Sequence, residues 1–180
     1  MLVGKRLAIW RRVVNMLVFQ FGYITREADK SWCEYALHVQ CPWRLLKDGA
    51  IFTGLSDLYS PREETADFDW CKWHADSGWP DNLLEHQLSS LLKQDLATCS
   101  LENVSDLLVV EKVEASGIGD ARVHLSGGYI WECYPVGIER EYWRLLDNVH
   151  RKHFAVCGES RTTANKSVER TGAPPLASDA

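Results

Sequence analysis

The chain has 180 residues, of which 46% are hydrophobic and 25% charged, with 20 Lys and Arg against 25 Asp and Glu. That length suits one domain whose core buries about 70% of the unfolded chain's surface, and charge spread through an ordinary globular composition excludes collagen-like, coiled-coil, fully disordered and multi-span membrane classes. A net charge of −5 argues against a general nucleic-acid binder, which carries a basic surplus.

The net charge hides a gradient. Residues 1–30 hold six basic and two acidic groups, residues 158–180 hold three of each, and residues 31–157 hold 11 basic against 20 acidic. Arg11-Arg12 precedes a short apolar run, but Asn15 interrupts it, Gln20 ends it and no small-residue cleavage site follows, so the start does not read as a targeting segment. A membrane span needs about 20 apolar residues, far more than this run supplies. Six cysteines in that context read as reduced, buried thiols, and the expected setting is cytoplasmic, with no membrane association.

Along the chain, Met16–Phe21 reads as a strand closed by Gly22. From Tyr35 to Leu45, apolar residues at odd positions alternate with mostly polar ones at even positions, which predicts one strand with a buried and a polar face. Pro42 implies an edge or a bulge within it. Asp48-Gly49 predicts a hairpin turn into Ala50–Gly54. Residues 61–79 lack periodicity and carry Trp70, Trp73 and Trp79. Asp81 then reads as the N-cap of an amphipathic helix over 82–96, with Leu83, Leu84, Leu88, Leu91 and Leu92 as its stripe. Strands are expected over 107–114, 121–126 and 129–134, joined by turns at Gly117–Asp120 and by a two-residue Gly127-Gly128 hairpin that needs positive φ. Ile138, Tyr142, Leu145 and Leu146 suggest a short helix, and Phe154–Cys157 one more strand. Residues 158–180 lack aromatics and periodicity and read as a disordered tail behind a single domain over 1–157. Strands, a helix and more strands give an α+β fold, with a mainly antiparallel sheet and one or two covering helices.

The motifs of common chemistry are absent. Cys71 and His74 have zinc-like spacing without a second pair, Asp67 and Asp69 do not start a calcium loop, and no phosphate-cradling or nucleophile-elbow motif occurs. Neither metal nor cofactor is expected. Two constellations remain. The even-numbered face of the long strand offers His38, Gln40 and Arg44; Arg122, His124 and Glu132 lie in the matching phase of later strands, and a shared groove would suit anion binding or acid–base work. The segment 57–85 carries eight acidic groups against Arg62 and Lys72, and within it Asp67, Asp69, Trp70, Trp73, Asp76 and Trp79 read as a surface for a basic protein partner.

Phe19-Gln20-Phe21-Gly22, the run Leu37-His38-Val39-Gln40-Cys41-Pro42-Trp43-Arg44, and Ser126-Gly127-Gly128-Tyr129 resemble an uncharacterised family of small bacterial proteins, over roughly residues 16–157. The resemblance implies a bacterial origin and a single domain, and it brings no established activity. The functional expectation is therefore a non-enzymatic protein-binding domain, one version being immunity- or antitoxin-like. An enzyme or small-anion binder using the polar sheet face is the alternative.

Overall fold

The computed structural model describes residues 1–27, 30–75, 81–92, 108–137, 141–158 and 163–164. Its strands are β1 (Leu7–Val13), β2 (Met16–Glu27), β3 (Lys30–Val39), β4 (Trp43–Lys47), β5 (Ala50–Gly54), β6 (Val110–Ala115), β7 (Ala121–Leu125), β8 (Tyr129–Cys133), β9 (Glu141–Asp147), β10 (Lys152–Cys157) and β11 (Thr163–Ala164). Its α-helices are α1 (Trp70–Ala75) and α2 (Leu83–Leu92). The strands form a six-stranded sheet, β1-β2-β3-β9-β10-β11, and a five-stranded sheet, β5-β4-β8-β7-β6, with every pairing antiparallel. The expected α+β class with a mainly antiparallel sheet is what forms.

The alternation from Tyr35 to Leu45 holds, since Tyr35, Leu37, Val39, Cys41, Trp43 and Leu45 are all buried in one cluster. The chain nevertheless changes sheets within it, so two strands replace the single one expected. Gln40 N–H still donates to Tyr142 on β9, whereas the Pro42 carbonyl already accepts from Tyr134, just beyond β8. Pro42 has no N–H to give a ladder, and it stands where the ladder changes partner. Inner faces of the two sheets then meet: Phe19 of β2 packs edge-on against Trp43 and Trp131, with centroids 5.4 and 5.8 Å away. The sheets are also stitched along one edge, where Leu7 N–H donates to Leu108 and Val110 N–H to Lys5.

Helix α2 rests against β1 of one sheet and β5 of the other, burying Leu84, Leu88 and Leu92 in the common core, while Glu85 pairs with Arg12 at 2.6 Å. Its cap is Asn82, not Asp81: the Asn82 Oδ1 accepts from Glu85 N–H at 2.8 Å, and Asp81 lies in a turn at φ +53°. Residues 93–96 of the expected helix, like Leu107, fall outside the described residues.

Two further expectations need correction. The helix expected after Ile138 is strand β9, with Leu145 paired to Leu37 and Phe154; a short apolar run carries the same signature in a helix and in a strand buried on both faces, and long-range pairing decides. The apolar run after Arg11-Arg12, which does not read as a targeting segment, lies in the β1–β2 hairpin, turning at Val14 (φ +58°). The Gly127-Gly128 turn has the expected positive φ values of 73° and 77° but is a residue longer, because Ser126 N–H and Oγ are engaged by Val109. Beyond Gly158, β11 pairs with β10, and the rest of 158–180 falls outside the described residues.

Candidate functional site

The register of β4, β8 and β7 sets Arg44, Glu132 and Arg122 side by side on the outer face of the five-stranded sheet. Glu132 is buried, with its side chain 3% exposed, and both carboxylate oxygens are taken. Arg44 Nε meets Oε2 at 2.7 Å, an Arg122 terminal nitrogen meets Oε1 at 2.6 Å, and the Tyr134 hydroxyl donates to Oε2. The Arg44 guanidinium also lies over the Tyr134 ring, 5.1 Å from its centroid. Burial pushes the Glu132 carboxyl up, but donation by Tyr134, Arg44 and Arg122 outweighs it and holds the group below its ordinary value. A carboxylate so held stays ionised, with three of its roughly four acceptor positions filled. Its role here is to tie three strands together.

His124, on the same face of β7, meets Glu114 Oε2 at 2.6 Å, and Lys112 meets Oε1 at 2.7 Å. Lys112 first, then His124, hold the exposed Glu114 carboxyl down to about 2. His38 and Gln40 do not join these residues. His38 sits in the six-stranded sheet opposite Arg144 of β9, and burial, with Arg144 adding to it, lowers its pKa. Gln40 is exposed at the crossover. The polar phase of residues 38–44 is thus divided between two sheets that turn their polar faces apart.

In the described part of the acidic segment, several carboxylates are engaged within the fold. Asp57 is used internally, accepting from Thr53 Oγ1 and Gly54 N–H; Glu85 is paired to Arg12; and Asp81 lies 3.9 Å from Arg62. Glu63, Glu64, Asp67 and Asp69 remain on the surface. Asp69 Oδ1 accepts from Lys72 N–H at the start of α1, and Trp70 and Trp73 share one aromatic cluster with Phe68 and His74. Trp73 is buried in it. Trp70 is 39% exposed, edge-on to Phe68 at 5.2 Å, stacked on His74 at 5.7 Å, and bonded through its indole N–H to Glu64 at 2.9 Å. Asp76 and Trp79 fall outside the described residues.

Among the described residues, no group of three His, Cys, Asp or Glu side chains is placed to hold a metal, and no helix is long and apolar enough to cross a membrane. Cys33, Cys41 and Cys133 are buried free thiols; burial pushes Cys33 up to about 11, and contact with Cys41 together with burial raises Cys133. Tyr134 and Glu114 are the site residues that sequence reasoning missed. Tyr134 shares the face of Glu132 by two-residue spacing, and Glu114 lies opposite Arg122 in the β6–β7 hairpin, so both were within reach of register arithmetic. The chain matches no known family model, no curated protein and no solved structure.

Proposed function

We propose that this chain is a bacterial protein-binding domain that takes a basic partner on the surface around Trp70, as an immunity or antitoxin-like protein would cover a basic toxin. The half-open Trp70 ring carries the reading. It is braced by Phe68, His74 and Glu64 and bordered by the exposed Glu63, Asp67 and Asp69. A braced indole offers large contact area at little entropic cost, and the surrounding carboxylates steer a cationic surface toward it. The sheet face supports catalysis less well, because three donors hold its buried carboxylate in the ionised form and His38 and Gln40 do not join it.

The test is capture from a bacterial lysate with the tagged chain as wild type, Trp70→Ala, a Glu63→Lys/Asp67→Lys pair, and Lys112→Ala as a remote control. A partner should be retained by wild type and the control, released by added salt, and lost with the other two variants. Equal recovery with wild type and all three variants removes the Trp70 surface from consideration.

A further inference from the structure

We propose that the outer face of the five-stranded sheet binds the same face of a second copy of the chain, about a two-fold axis parallel to the strands and midway between β8 and β7. One cross-strand row carries the argument. Arg44 of β4, Glu132 of β8, Arg122 of β7 and Glu114 of β6 are register partners in that order, so the row reads plus, minus, plus, minus. Rotation about this axis exchanges β8 with β7 and β4 with β6. Arg44 then faces Glu114 of the second copy and Glu132 faces its Arg122, so all four positions meet an opposite charge. A two-fold axis running across the strands through the row sets each charge over its own copy, and like charges so placed repel. The row therefore selects one orientation and supplies the self-complementarity that an isologous interface needs.

The neighbouring positions agree. The side chains of Arg44, Arg122 and Glu114 are 41%, 51% and 42% exposed, so their pairs within the chain leave them open to a second partner. Arg44 meets Glu132 through Nε, and a guanidinium has further N–H donors to give. Beside Glu114 an open groove of about 300 Å³, lined also by Asp120, Arg122 and Tyr134, gives the incoming Arg44 room next to two carboxylates. In the adjacent row, Leu46, Ile130, His124 and Lys112 are register partners, and Leu46 and Ile130 are partly exposed. The same axis sets Ile130 against His124 and Leu46 against Lys112, whose aliphatic stem covers apolar surface. Four strands about 4.8 Å apart, over three rows about 6.8 Å apart, span roughly 400 Å² per copy, half of what one partner buries in a standard interface. The dimer is accordingly weak and forms at high chain concentration.

Sedimentation equilibrium of the full chain, loaded from about 10 μM to about 1 mM, is the test. Wild type should pass from monomer toward dimer mass, and added salt should move that change to higher concentration. Glu114→Arg sets an arginine against Arg44 at both ends of the row and should weaken association by at least about tenfold. Arg44→Gln removes both outer attractions, keeps a donor for Glu132, and should weaken association less. Mixing separates charge pairing from damage to the fold. A mixed pair of these two variants recovers one native contact between Arg44 and Glu114, so an equimolar mixture should associate more tightly than either variant alone. The proposal is overturned by wild type that stays monomeric throughout, by either variant associating as tightly as wild type, or by a mixture no tighter than Arg44→Gln alone.

Discussion

Replacing Arg44 and Arg122 together by Met tests whether Glu132 is a structural tie. Methionine keeps an aliphatic stem in place of the arginine's and removes only the charge and its donors. Glu132, with its side chain 3% exposed, would then keep the Tyr134 hydroxyl alone. A hydrogen bond to a charged group contributes about 1.5–3 kcal/mol. The two arginine side chains are 41% and 51% exposed, so rehydration returns part of that. With the cost of a buried carboxylate short of donors, the double variant should lie about 3–4 kcal/mol below wild type at pH 7.

The pH dependence supplies a control. In wild type the folded pKa of Glu132 is below the unfolded one, so its contribution is fully present above about 4.3 and is lost as pH falls through the folded value. In the variant, burial is opposed by Tyr134 alone and the folded pKa moves above the unfolded one. Protonation then favours folding, and the deficit should narrow between pH 7 and pH 4. Urea unfolding at several pH values, followed by far-ultraviolet circular dichroism, measures it. A deficit under about 1 kcal/mol at pH 7, or an equal deficit at pH 4, refutes the reasoning.

Other outcomes follow from single positions, each measured by chemical or thermal unfolding. Trp73→Ala should cost about 2–4 kcal/mol by emptying a buried ring site, whereas Trp70→Ala should stay under about 1 kcal/mol and separate binding from folding. Gly119→Ala should cost about 2 kcal/mol or more, because φ is +95° and the new Cβ would meet Val156 Cγ1 at 2.6 Å; Gly49→Ala, at φ +84° with nothing within 4 Å, should cost about 1 kcal/mol. Asn82→Ala should cost about 1 kcal/mol through loss of the α2 cap, and Asp81→Ala should not. His38 has a folded pKa below its unfolded value of about 6.5, so its contribution is intact above that pH and declines as pH falls through the folded value; His38→Gln should flatten that decline.

What the sequence could reveal followed the range of each signal. Alternation from Tyr35 to Leu45 named the buried face correctly, yet period two is indifferent to which sheet a residue joins. Only the missing N–H of Pro42 hinted at the change of partner, and that change is what parts His38 from Arg44. Strand β1 was invisible because Leu7, Ala8, Ile9 and Trp10 are all buried, which erases alternation. Arg44, Glu132 and Arg122 were found by phase, but their contact depends on β4, β8 and β7 lying adjacent, a fact set by pairings distant in sequence. Trp70 and His74 stand one helical turn apart, too short a pattern to announce α1 within an irregular acidic stretch.

The sheet change at Gln40–Pro42 has a consequence for how the chain is made. Synthesis runs from the N-terminus, so β1, β2 and β3, and then the β4–β5 hairpin, emerge before their remaining neighbours exist. The open side of β3 waits for β9, and that of β4 waits for β8. Until then the nascent chain carries two unpaired strand edges with the aromatic and aliphatic row from Tyr35 to Leu45 uncovered between them, the kind of surface on which incomplete chains associate. Neither half-sheet can finish early, because one short segment belongs to both, and closure therefore comes late and involves both sheets at once.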